Sequence, residues 1–91
     1  TEVYMDKEAN TKAVLNRISR SAGHLGGIKK MIEDGRDCKD ILIQLYAVRA
    51  EITSVSKLLL KNYTDDCITD AVSGYGESAV LKLKEAIDVL L

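Results

Sequence analysis

Proline is absent from all 91 residues. That absence constrains the fold more than any residue present, because proline is what removes a backbone donor and breaks a helix. Apolar periodicity can therefore run on without interruption. Leu15, Ile18, Ala22, Leu25 and Ile32 recur at helical spacing, with Ile28 and Met31 widening the stripe, which predicts a first helix from about Lys12 to Glu33. Gly23, Gly26 and Gly27 fall inside it. Each weakens a helix by about 1 kcal/mol relative to alanine, a cost tolerable where another backbone or a ligand approaches closely. Gly35 suits the left-handed position that ends a helix, and Asp37 suits the N-cap of the next. In the second helix, Cys38 to Val72, residues Ile41, Leu45, Val48, Ile52, Val55 and Leu59 alternate by four and three, as in a coiled-coil seam. Ser73-Gly74-Tyr75-Gly76 breaks the chain, and a third helix follows from Ser78 to Leu91. Residues 1–9 lack periodicity and read as a flexible tail. The expectation is an all-α, three-helix subunit forming one domain over residues 10–91.

The second helix is too long for its own chain. At roughly 50 Å it exceeds what a first helix of about 22 residues can cover. A chain this short also has limited core, so burial shared with a second copy would help. The two cysteines point the same way. Cys38 and Cys67 sit 29 positions apart on the second helix, roughly 43 Å along its axis and about eight full turns around it. They share a face and cannot meet within one straight helix. Paired antiparallel with its own copy about Ile52 and Thr53, the helix would bring Cys38 of one chain beside Cys67 of the other. The alternative, two buried structural thiols, would leave this shared-face, opposite-end placement a coincidence.

No apolar run approaches the roughly 20 residues of a membrane span, and no secretory signal is visible, so the expected compartment is the cytoplasm. Thiols there serve metal, redox or sensor chemistry more than static disulfides. Two thiolates suit soft acceptors such as Cu(I), or sulfur transfer. A zinc site is a poor match, since Cys-X-X-Cys is absent and His24 is the only histidine. His24 reads as a partly exposed residue of the polar face. An enzyme is not expected: no acid–base histidine neighbours a thiol in sequence and no cofactor motif is present.

The formal net charge of −1 hides an asymmetry. Between Thr11 and Ile32 there is no Asp or Glu, yet Lys12, Arg17, Arg20, Lys29 and Lys30 occur there. Such a helix face is either merely solvated or an anion-binding surface, and a symmetric oligomer would repeat it along a duplex. No helix-turn-helix, zinc finger or aromatic stacking motif accompanies it. The competing reading is a plain helical interaction module on which the basic face is accidental.

Leu15-Asn16-Arg17-Ile18 with Gly23-His24-Leu25-x-Gly27-Ile28 resembles the first helix of the CsoR/RcnR/FrmR family of bacterial repressors. The stretches Cys38-x-Asp40-Ile41-Leu42-x-Gln44-Leu45-x-Ala47-Val48-Arg49 and Asn62-Tyr63-x-x-x-Cys67 resemble its second helix. The resemblance covers about residues 10–90. It implies an antiparallel four-helix-bundle dimer that assembles into a flat tetramer and binds operator DNA through basic residues. Arg17 is then the best-matched DNA contact, with Arg20, Lys30, Arg49 and Lys12 as further candidates. It also implies a sensing pair of Cys38 and Cys67 from different subunits, with Asp37 and Tyr63 nearby. Copper sensors of the family carry a histidine where this chain has Tyr63. They also carry an outer tyrosine and glutamate where it has Asp37 and Leu83. Both cysteines without the histidine resemble the persulfide-sensing CstR branch. The resulting expectation is a homotetrameric repressor with no cofactor, responding to low-molecular-weight persulfides or polysulfides. A Cu(I)-sensing repressor of copper-efflux genes is the alternative.

Overall fold

The computed structural model describes the backbone of residues 2–91 and the side chains of residues 8–66, 68, 69, 72–74 and 76–91. The described chain is all-α, with no strand. Helix α1 spans Glu2–Glu33, α2 spans Cys38–Asp70, and α3 spans Gly76–Leu90. A π-helical segment, Ala71–Tyr75, lies between α2 and α3. The second and third helices match expectation to within about two residues, the usual fraying of helix ends. The first does not. It starts at Glu2 rather than near Lys12, so the expected tail falls within the helical span. Glu2, Met5, Lys7, Glu8 and Ala9 are good helix formers with no glycine or proline among them. Local propensity extends the helix where apolar periodicity is silent.

The turn between α1 and α2 closes as a Schellman motif. Gly35 N–H donates to Ile32 O at 3.1 Å and Arg36 N–H to Met31 O at 3.0 Å. Gly35 has φ of 69°, the left-handed conformation that a Cβ would strain. The carbonyl of Asp37 then accepts from Ile41 N–H at 3.1 Å, the first bond of α2, as an N-cap residue's does. Gly74, with φ of 102°, sets the break before α3.

The chain divides into two compact units, Thr1–Val55 and Ser56–Leu91. In the first, α1 and the start of α2 run antiparallel, tied by Arg17 to Ser54, Ser21 to Glu51, and His24 to Glu51 and Gln44. Ile28, Val48 and Val55 are its buried apolar residues among those described. Positions 17, 21, 24 and 28 of α1 and 44, 48, 51 and 55 of α2 each follow helical three–four spacing, so each set shares one side of its helix. The expected core stripe is not that side. Leu15 is 60% exposed and Ile32 57%, and Ile18 and Leu25 are also exposed. The α2 seam is split as well: Val48 and Val55 are buried, while Leu45 and Ile52 are exposed. The second unit holds the end of α2, the π-helical segment and α3. Ala79 is its buried apolar residue among those described.

The glycines of α1 do not serve close packing inside the chain. A Cβ at Gly23, Gly26 or Gly27 would meet nothing within 4 Å. No described helix is long and apolar enough to cross a membrane.

Candidate sensing thiol and anion-binding face

Cys38 is the first residue of α2, directly after the N-cap Asp37, and its free thiol is exposed. Cys67 falls near the end of the same helix. Its side chain lies outside the described residues, so the expected pairing of the two thiols rests on sequence position. Tyr63 stands one turn before Cys67 and is half-buried. Asp37 is exposed, as is Asp40 in the first turn of α2. Among the described residues no three His, Cys, Asp or Glu side chains are grouped to hold a metal ion. What this end of α2 offers is one accessible, soft sulfur donor. It suits a soft acceptor that completes its coordination or bonding with a second sulfur, and it does not suit a hard cation that needs several oxygens.

Among the described residues of α1, Lys12, Arg17, Arg20, Lys29 and Lys30 all face solvent, and so does Arg49 of α2. They are not equally available. Arg17 Nη1 donates to Ser54 Oγ at 3.3 Å, which steadies the guanidinium against α2. Lys30 Nζ lies 3.7 Å from Asp34 Oδ2, one turn on. An exposed pair of that kind is weak, typically below about 1 kcal/mol, and yields to a phosphate. From Lys12 to Lys30 the helix thus carries five exposed cations without an interleaved acid.

The side-chain network beside that face was not legible as a site in the sequence. His24 lies on the α1–α2 contact, with both ring nitrogens engaged. Nδ1 is 2.7 Å from Glu51 Oε2 and Nε2 is 2.7 Å from Gln44 Oε1. Ser21 is buried and donates from Oγ to the other oxygen of Glu51 at 2.8 Å. The Gln44 amide oxygen and then the Glu51 carboxylate raise the His24 pKa above its ordinary value, against the opposing effect of burial. The Ser21 hydroxyl and then His24 hold Glu51 below the usual carboxylate range, with Arg20 adding to the effect. The only signal in the sequence was Ser21, His24 and Ile28 recurring on one side of a helix whose other side is plainly apolar. That side draws no notice when amphipathicity alone is scored.

Against known proteins, residues 10–91 match the model of a family described as metal-sensitive transcriptional repressors. The copper-sensing transcriptional repressor CsoR of Bacillus subtilis is 41% identical over 71 residues, covering 77% of this chain and 70% of that protein. CsoR of Mycobacterium tuberculosis H37Rv is 35% identical over 86 residues, covering 91% of this chain and 72% of that protein. Among solved structures, the nickel-responsive transcriptional regulator InrS superposes with a TM-score of 0.79 at 40% identity, covering 88% of this chain and 91% of that one. The copper-sensing repressor CsoR of Geobacillus thermodenitrificans, solved with Cu(I), gives a TM-score of 0.77 at 33% identity, covering 85% and 81%. These findings overturn the expectation that no cofactor is involved, since the relatives are named for the metals they sense and one was solved holding Cu(I). Tyr63 in place of a histidine does not exclude a metal, because one absent ligand does not remove the affinity of thiolate for soft metals. With the family match spanning nearly the whole chain and relatives well above 30% identity along most of their length, the chain belongs to the CsoR/RcnR family of metal-sensitive transcriptional repressors.

Proposed function

We propose that the chain is a Cu(I)-responsive transcriptional repressor of the cytoplasm. Its domain over residues 10–91 binds operator DNA through Arg17, Arg20, Lys30, Arg49 and Lys12 of several copies at once. Cys38 and Cys67 of a partner subunit would hold the metal, and its binding would lower the affinity for the operator. The observation that carries the reading is the exposed thiol of Cys38 at the start of α2, in a chain whose relatives are named copper sensors. Cu(I), when bound, would supply a soft Lewis acid of the kind that thiolates hold. Cys38 and Cys67 provide those thiolates, and α2 carries the change to the helix contact beside Arg17. The exposed apolar rows of α1 and α2 support assembly as a homodimer and a homotetramer. A hundredfold loss of DNA affinity on ligand binding requires about 2.7 kcal/mol of coupling.

The test is a Cu(I) titration against a competing chelator, with duplex binding followed in parallel by fluorescence anisotropy. Tight binding of one Cu(I) per subunit, release of the duplex, and loss of both in Cys38→Ala and Cys67→Ala are expected. Duplex binding that ignores Cu(I) would sink the reading.

A second reading is favoured by one residue. Tyr63 stands where a third metal donor would be placed, and a phenol is a poor partner for Cu(I). In this reading the effector is a low-molecular-weight persulfide. The Cys38 thiolate attacks its terminal sulfur, expelling the parent thiolate and leaving a Cys38 persulfide. Cys67 of the partner then attacks the Cys38 sulfur, forming a disulfide and expelling hydrosulfide. Intact mass after anaerobic treatment with a persulfide donor decides it. Reductant-reversible covalent dimers absent in Cys38→Ala favour sulfur sensing, and unmodified monomer leaves the Cu(I) reading alone.

A further inference from the structure

The α1–α2 contact of the first unit contains a polar group that neither the thiols nor the basic face accounts for. A histidine between two oxygen acceptors is unusual. A neutral imidazole has one N–H and one bare nitrogen, so it can donate to only one of them. Here Nδ1 faces a carboxylate oxygen of Glu51 and Nε2 faces the amide oxygen of Gln44, each at 2.7 Å. Both contacts are at the short end of the range for a charged donor. Both acceptors are satisfied only if the ring carries two hydrogens. The Glu51 carboxylate cannot turn away freely, because buried Ser21 holds its other oxygen. The His24 and Glu51 side chains are 30% and 36% exposed, so protons exchange with solvent without unfolding.

The charged groups around the ring are few. From α2 the facing charge is Glu51. From α1, Arg20 is within electrostatic reach of that carboxylate, and Arg17, two turns before the histidine, is on Ser54. Glu51 therefore has two potential cationic partners, a histidine that can lose its charge and an arginine that cannot.

We propose that His24 is a proton-operated positioning residue. As an imidazolium it bridges Gln44 and Glu51 and occupies the Glu51 carboxylate, which leaves Arg20 available to an anionic ligand. When it gives its proton to solvent, one bridge is lost and Glu51 draws Arg20 inward. The step from Arg20 to a DNA phosphate rests on the duplex-binding reading above; the bridge itself does not. The direction of the pH effect follows from the raised pKa of His24. The bridge is fully present below about 6.5, the value of an unperturbed histidine. It is lost as pH rises through the higher folded-state value.

Because the chain has a single histidine, nitrogen-15 labelling of histidine in the full chain reads this ring alone. The expected result is two protonated ring nitrogens at acid to neutral pH, with a titration midpoint above that of free imidazole. The midpoint should fall in Glu51→Gln and in Gln44→Leu. A ring that is neutral at pH 6, with Nε2 bare and accepting from a turned Gln44 amide, overturns the proposal. Duplex affinity measured across salt concentrations tests the second half. Raising pH through the His24 midpoint should make the salt slope shallower by about 0.9 per subunit, the signature of one lost phosphate contact. Glu51→Gln should keep the steeper slope at both pH values. An equal change of slope in Glu51→Gln overturns the link to Arg20. If the wild-type chain binds no duplex at all, the reading of function fails, and the ring titration still decides the bridge.

Discussion

The two sides of α1 divide their labour in a way that runs against the usual order. The side turned to α2 within the chain carries Arg17, Ser21, His24 and Ile28, three polar residues and one apolar. The side carrying Leu15, Ile18, Leu25 and Ile32 is left exposed. A lone chain would normally bury the second side and solvate the first. The inversion teaches that directional hydrogen bonds set the register of the α1–α2 pair, while the non-directional apolar surface is left uncovered within the first unit. Hydrogen bonds select one alignment because a shift of a single turn breaks them all, whereas apolar rows tolerate sliding.

If that division is real, the largest effect on the chain's own fold comes from the one large apolar side chain on the polar side. Ile28 is 2% exposed. Ile28→Ala should cost about 2–5 kcal/mol, the range for truncating a buried aliphatic side chain. Urea unfolding monitored by circular dichroism measures it. A cost below about 1 kcal/mol would mean that the α1–α2 contact is held by its polar residues alone.

A smaller effect, on assembly rather than on the fold, is expected from the neighbouring apolar side. Ile18→Asp and Leu25→Asp each place a charge in the exposed apolar row. Each should weaken self-association by roughly tenfold to a hundredfold, from the roughly 1.5–3 kcal/mol that burial of such a side chain contributes. Helix content should stay unchanged. Sedimentation velocity across a concentration series gives the result. Unchanged association in both variants would break the comparison, because the exposed row would then have no partner.

Much of this architecture could be read from residues before any coordinates. Three helices, the Gly35 and Gly74 breaks, the Asp37 cap and the basic stretch of α1 all follow from local rules of propensity, capping and charge. The membership of the family was legible in the motifs around Arg17, Cys38 and Cys67. What was not legible was the facing of the helices. Leu15, Ile18, Leu25 and Ile32 form the stripe that periodicity selects, and periodicity says that a face is buried without saying by which chain. The His24 bridge was hidden for a related reason. Gln44 and Glu51 are ordinary polar residues of a long helix until a second helix brings Ser21 and His24 against them. The expectation of no cofactor fails for a different reason: Tyr63 replaces a third donor, and a missing third donor changes coordination number more than it changes the preference of thiolates for a soft metal.

The smallest expected effect sharpens the same comparison at the backbone. Gly26 and Gly35 are both glycines of the first unit, yet only Gly35 has a conformation that needs one. Gly35→Ala should destabilise the chain by about 1–2 kcal/mol, the cost of a left-handed L-residue. Gly26 sits inside α1 with ordinary helical geometry, and a Cβ there meets nothing within 4 Å. Gly26→Ala should therefore stabilise the helix by about 1 kcal/mol. Thermal unfolding of the two variants side by side measures both signs. If Gly26→Ala gains that stability but loses self-association or duplex affinity, the glycine keeps α1 open to the close approach of another molecule. If it gains stability and loses neither, the glycine has no part in the approach of another molecule to α1.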